Sequence, residues 1–175
     1  EMRKIKKEGK VEKIGFSLYY PKELLYILNE VPDTDMVQIP MSVIDQRFLE
    51  YLPELKKKNI DIYVRSVFLQ GLVFERPKDL TGRFCSIRKN VEGLNAISSQ
   101  TGAPIFAVCL NFILQNEHVD GVVVGIDGMG HLNQILSAAD YNGRISKESN
   151  CFAGLKSDDE NVVLPFKWEL TKKSA

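Results

Sequence analysis

The chain has 175 residues, 44% of them hydrophobic, with Lys+Arg and Asp+Glu balanced at 23 each. That length suits one domain with a real core, or a piece of a larger one, and the balanced charge leaves no net field to recruit nucleic acid or an anionic membrane. No apolar run approaches the roughly 20 residues of a membrane helix, and the charged opening stretch does not resemble a signal peptide.

In chain order, Glu1 to Gly9 reads as the tail of a helix closed by a glycine. Lys13–Ser17 is then the first of four short apolar runs with the character of buried parallel strands. Pro21 suits a first helical turn, after which Leu24, Leu25 and Leu28 form one stripe. Met36–Pro40 is the second strand. Phe48, Leu52 and Leu55 mark a helix ending in Lys56–Lys58, whose charge suits a C-terminus. Ile60–Ser66 is the third strand. Leu69 to Cys85 is an irregular loop punctuated by Gly71, Pro77 and Gly82. Ile87, Val91, Leu94 and Ile97 predict a helix stopping near Gly102, and Pro104 opens a buried one over Ile105 to Gln115. Gly121–Gly125 is the fourth strand, followed by a helix carrying Leu132, Ile135, Leu136 and Ala139. Asp158–Glu160 reads as a solvated loop, and Val162 to Trp168, around Pro165, as a tail laid on the body.

Strand–helix alternation predicts a parallel sheet with helices outside. The first three strands follow one another at about two dozen residues, a spacing common in (β/α) barrels, which need eight strands to close. Four units leave two open edges, with an apolar concave face expected from Phe16, Val37, Ile62 and Val122. Such a piece needs another half, a copy of itself, or an open-sheet arrangement.

In parallel barrels chemistry sits at the C-terminal strand ends. Here those ends offer hydroxyl, amide and guanidinium groups from Ser17, Gln38, Arg65 and Ser66, but no obvious acid, base or nucleophile. Arg65 is expected to meet a carboxylate or a ligand, since an unpaired buried charge is costly. Gly125-Ile126-Asp127-Gly128-Met129-Gly130 before a helix fits a phosphate-binding turn and fits a plain tight turn equally well. His131 stands beside those glycines, where it either touches a phosphate or is a surface histidine. His118 reads as a polar-turn residue and Cys109 as core packing. Cys85, Cys109 and Cys151 are odd in number and outside any metal-ligand spacing, which suits a reducing cytoplasm.

Together the strand ends resemble the aldo/keto reductase family over nearly the whole chain. The segment from Gly9 to Ser17 is similar to the family's G-K-V-x-x-I-G-V-S-N pattern on its fifth strand. Val37-Gln38 with Asp45-Gln46-Arg47 resembles the sixth. Arg65-Ser66-Val67-Phe68-Leu69-Gln70-Gly71-Leu72 resembles the seventh, and Val122–Gly125 with His131–Leu136 the eighth. Leu164–Trp168 is similar to the closing tail.

The resemblance implies an α/β fold: the C-terminal half of a TIM (β/α)8 barrel, with four parallel βα units and residues 1–175 as one half-barrel domain. It implies a cytoplasmic NADP-dependent carbonyl reductase, with NAD as the other possible cofactor. Ser17 and Gln38 would hold the nicotinamide carboxamide. Arg65, Ser66, Phe68, Gln70 and Gly71 would lie along the ring and pyrophosphate. Gly125, His131 and Gln134 would meet the adenosine-phosphate end. Departures accompany this match. Leu18 replaces an asparagine, Arg65 stands where an aromatic ring often meets the nicotinamide, and Gly125, Ile126 and His131 replace the residues that grip a 2′-phosphate.

The family's aspartate–tyrosine–lysine–histidine tetrad comes from its first four strands, so no catalytic residue and no metal ligand is assigned here. By itself the chain is expected to be inactive, with cofactor binding weakened or lost. Its expected partners are the missing N-terminal half-barrel or a second copy of itself, with a small carbonyl substrate once completed. The alternative is a non-catalytic, self-associating half-barrel that binds a nucleotide or a protein.

Overall fold

A computed structural model of the chain describes residues 1–141, 145 and 150–168. Four parallel strands form one sheet in the order β1-β2-β3-β4, namely β1 (Gly15–Ser17), β2 (Met36–Pro40), β3 (Asp61–Arg65) and β4 (Gly121–Val122). Helices α1 (Met2–Lys7), α2 (Pro21–Glu30), α3 (Leu52–Lys57), α4 (Arg88–Thr101), α5 (Ile105–Leu114), α6 (Met129–Ser137) and α7 (Glu160–Val163) make up the rest, with 3₁₀ turns between them. This is half of a (β/α) barrel, opened out as a sheet with β1 and β4 at its edges.

Local chemistry sets the element limits. Expected as Lys13–Ser17, β1 begins only at Gly15, because the Ile14 N–H donates to the Asp35 carboxylate at 2.8 Å. The third strand loses both expected ends: the Ile60 N–H bonds back to Leu55 at 3.0 Å, and Ser66 turns into the left-handed region at φ 62°. That turn also shortens β4, expected over Gly121–Gly125. Val123 still donates to Val64 at 2.7 Å, after which β3 has turned away and β4 has no neighbour to pair with. The helix expected from Phe48 starts at Leu52 instead. Pro53 lacks an N–H, so the preceding turn, Leu49–Tyr51, is 3₁₀. By contrast α2 starts at Pro21, with the Glu23 carboxylate accepting from the Tyr19 and Tyr20 N–H groups at 2.7 and 2.9 Å. Helix α4 ends, as expected, on Gly102 in the left-handed conformation at φ 66°.

The two faces of the sheet divide differently from the expectation. Register places Val37 beside Ile62 and Phe16, and Val64 beside Val122. Val37, Ile39, Ile62 and Val64 are fully buried, so this apolar face is the one that the helices cover. The opposite face is the open one, and it carries Ser17, Gln38, Tyr63 and Arg65 in place of an apolar lining. On it the Tyr63 ring lies over Gly121, where a β-carbon would stand 2.7 Å from the ring. Phe16, on the covered face but at the edge strand, remains 45% exposed.

Two further expectations change. Asp159, expected in a solvated loop, caps α7 by accepting from the Asn161 N–H at 3.0 Å, and Glu160 pairs with Lys167. Helix α6 has no buried residue, and Leu136 is exposed although it falls on the predicted apolar stripe. Cys109 is buried in α5, where the apolar surroundings push its thiol well above the ordinary range. No single helix among the described residues is long and apolar enough to cross a membrane. The apolar α4–α5 region bends by 93° and packs its apolar residues into the core.

Candidate functional site

The C-terminal ends of the strands gather the polar residues of the open face. The Ser17 hydroxyl donates to Gln38 Oε1 at 2.9 Å across the β1–β2 pair, so these two groups stand side by side on adjacent strands. Arg65 reaches back over the sheet. One guanidinium nitrogen donates to the Leu18 carbonyl at 2.9 Å and another to Ser66 Oγ at 3.1 Å, while the group stacks 4.3 Å from the Tyr19 ring centroid. Of the two partners expected for Arg65, a carboxylate or a ligand, no carboxylate is found among the described residues. Its contacts are a carbonyl, a hydroxyl and a π face, because the nearby Asp45 is already engaged.

Asp45 binds Arg47 through two bonds of 2.8 Å, with Asp45 buried and Arg47 largely so. Burial raises the Asp45 carboxyl above its ordinary value, with Arg47 pulling against it. Burial pulls the Arg47 guanidinium down, and Asp45 more than offsets this, leaving it raised. The pair fixes the loop after β2. That loop also holds the tail side through Gln46, which donates to the Phe152 carbonyl at 2.7 Å.

After β3 the backbone runs through an unusual series of positive φ angles: Ser66 at 62°, Leu69 at 45°, Gln70 at 55° and Gly71 at 85°. Left-handed conformations cost non-glycine residues energy and gather at ligand-holding loops. Leu69 is buried and anchors the loop, which leaves Ser66, Gln70 and Gly71 on its outer side.

Two cavities take up these residues. A cleft of about 920 Å³ is lined by Arg65, Ser66 and Gln70, with Tyr19, the Thr81–Phe84 segment and the tail residues Pro165, Phe166 and Trp168. The tail is pinned there: Phe166 meets the Tyr19 ring at 5.1 Å, Trp168 meets Phe84 at 4.9 Å, and Arg83 donates to the Lys167 carbonyl at 3.0 Å. A second cavity of about 330 Å³ brings together Phe68, Gly71, Gly125, His131 and Gln134, with Asp127 on its rim. Its glycine turn faces open space, since a β-carbon at Gly125, Gly128 or Gly130 would touch no protein atom. Backbone can therefore approach a phosphate or ribose there. His131 Nδ1 lies 3.5 Å from the Asp127 carboxylate.

The structure thus places five of the ten sequence-selected residues in the smaller cavity and three in the larger one, with Ser17 and Gln38 beside each other on the open face. His118 lines neither cavity. Thr81, Arg83 and Phe84 were missed by sequence reasoning, which read their segment only as loop. Nothing local marks them, because their neighbours lie on β3 and the tail. Among the described residues no cluster of His, Cys, Asp and Glu could hold a metal.

The solved structures most similar in shape include an aldo-keto reductase of Bacillus halodurans. Its apo form is 21% identical with a TM-score of 0.68, covering 85% of this chain and 55% of that one. Its holo form is 20% identical with a TM-score of 0.66. The glycerol dehydrogenase of Gluconobacter oxydans is 13% identical, with a TM-score of 0.52 over 85% of this chain and 54% of its own. In sequence, L-galactose dehydrogenase of Arabidopsis thaliana is 25% identical over 142 residues, 78% of this chain and 44% of that protein. The chain spans about half the length of these relatives. Residues 1–150 match the Aldo/keto reductase family, and the chain belongs to that family.

Proposed function

We propose that this chain is the cofactor-holding half of an NADP-dependent aldo/keto reductase, reducing a carbonyl to an alcohol once four further βα units complete the barrel. The observation that carries this reading is the convergence of the Ser17–Gln38 pair, the left-handed Ser66–Gly71 loop and the Gly125–Gln134 turn along one end of the sheet. A bound reduced nicotinamide would supply hydride, with its carboxamide on Ser17 and Gln38 and its phosphates against the two loops. The acid that protonates the carbonyl oxygen belongs, by the family pattern, to strands outside this sequence. The fit is better for the ring and pyrophosphate than for a 2′-phosphate. The smaller cavity has Asp127 and His131 but no Lys or Arg in its lining, so NAD competes with NADP there.

The flanks support a partner. Leu25 and Tyr26 on α2, Phe16 on β1, Val123 after β4, and Met129 and Leu136 on α6 are exposed apolar groups at the two open sides of the sheet. Four complementary βα units would cover them, and so would a second copy of this chain.

The deciding assay is NADPH and NADH oxidation with a panel of aldehydes and ketones, run on the chain alone and then with a supplied first half. No turnover alone and restored turnover with the complement is the expected pattern. Turnover by the isolated chain would break the reading. Sedimentation distinguishes the self-associating form, since a stable dilute monomer counts against it.

A further inference from the structure

A third cavity, of about 600 Å³, lies at the N-terminal end of the sheet, away from the strand ends of the cofactor reading. Three segments distant in sequence line it: α1, the turn before β2 and the turn between α3 and β3. They bring four cations, Arg3, Lys6, Lys7 and Lys58, to two carboxylates, Asp33 and Asp35. Both carboxylates are engaged. Arg3 Nε lies 2.9 Å from Asp33, while Asp35 takes the Lys6 ammonium at 2.6 Å and the Ile14 N–H at 2.8 Å. Lys7 and Lys58 have no carboxylate partner among the described residues.

The neighbouring junctions show what strand clamping alone requires: one lysine for each carboxylate, Lys13 for Asp61 and Lys56 for Asp120. Here Arg3 and Lys6 meet that need, and two ammonium groups remain. A helix C-terminus favours a cation, which accounts for a lysine at the end of α1 or of α3 taken singly. It does not account for both ends opening on one cavity, where like charges repel. An anion between them removes that repulsion. Lysine ammonium groups bind phosphate as point charges, and Asn59 and Arg3 add exposed amide and guanidinium donors. The buried Ile14 and Thr34 close the floor. A surplus of two positive charges suits a ligand carrying more than one negative charge.

We propose that this cavity binds a multiply charged phosphate anion, a di- or triphosphate group either free or terminal on a nucleotide, held between Lys7 and Lys58. The site is independent of the reductase reading, since it shares no lining residue with the two cavities at the opposite end of the sheet.

The test uses the full chain with inorganic triphosphate and ATP as probes, measured by calorimetry at constant ionic strength without divalent metal. Triphosphate should bind saturably at one site per chain. Lys7→Gln and Lys58→Gln should each weaken it about fivefold or more. Lys57→Gln removes the same charge from α3 outside the cavity lining and should change it by about twofold or less. All three lysines are exposed, and melting curves report that each variant folds. Equal affinity for triphosphate and ATP assigns the site to the phosphates alone. Tighter ATP binding, weakened by the same two substitutions, assigns it to a nucleotide. Absence of saturable triphosphate binding would overturn the proposal. So would binding undiminished in Lys7→Gln and Lys58→Gln, or an equal loss in all three variants, since bare surface charge would then suffice.

Discussion

The two ends of the sheet are built on opposite electrostatic plans. At the N-terminal end carboxylates bridge the β1–β2 and β3–β4 junctions. Asp35, just before β2, accepts from the Ile14 N–H at 2.8 Å and takes the Lys6 ammonium at 2.6 Å. Asp120, just before β4, repeats the device, accepting from the Ile62 N–H at 2.7 Å and from Lys56 at 2.7 Å. Asp61 pairs with Lys13 between them. At the C-terminal end the backbone is bent into left-handed conformations, hydroxyl and amide groups face outward, and Arg65 has no carboxylate of its own. One end uses its polar groups to hold strands together; the other turns hydroxyl, amide and guanidinium groups outward. Barrel folds separate stability and chemistry along this axis.

The largest expected departure from that division is Asp45→Asn, since Asp45–Arg47 is the sealed pair within the ligand end. Removing the carboxylate strands a largely buried guanidinium and should cost about 3 kcal/mol of unfolding free energy by denaturant titration. A loss close to zero would mean that Arg47 finds solvent or another partner.

Next come the clamps at the opposite end. Asp35→Asn and Asp120→Asn should each cost ~1 kcal/mol near neutral pH and leave dinucleotide binding unchanged. The Asp35 carboxyl is held below its ordinary value by Lys6 first and the Ile14 N–H second. At Asp120 burial pushes the carboxyl up, but Lys56 and the Ile62 N–H together leave it lowered. A lowered folded value means that the stabilisation is present above the ordinary carboxylate range and is lost as pH falls through the folded value. Both variants should therefore flatten the acid limb of the stability profile, read from melting curves across acidic pH.

Gln70→Gly should act in the opposite sense. Relief of a left-handed non-glycine residue should stabilise the chain by up to ~1 kcal/mol, while dinucleotide affinity falls through loss of the side chain and a looser loop. A gain in both would remove the loop from the ligand-holding role. The smallest stability effect is expected from Ser17→Ala, within ~0.5 kcal/mol for an exposed hydroxyl, with weaker dinucleotide binding in fluorescence titration. Equal binding by the variant would argue against Ser17 as a carboxamide partner.

Much of this architecture was legible in the chain itself. Met36–Pro40 and the Pro21 helix start could be read from β-branched brevity and a missing N–H, because those are local properties. So could the helix stop near Gly102 and the ordered strand-end motifs that resemble a reductase barrel. Three things required the tertiary structure. Which sheet face is open depends on where helices pack: Phe16, Val37 and Ile62 look like a cavity lining in sequence but lie under or beside the helical layer. Where β4 ends depends on Ser66, a residue on another strand that turns the pairing edge away. The make-up of the larger cleft depends on Arg83 and Trp168 lining the same cavity as Arg65 across long stretches of chain, a proximity no local pattern encodes. The residue order determined the strands, the helices and the family; packing decided which charges were neutralised, as at Arg47, and which were left without a counter-charge, as at Arg65.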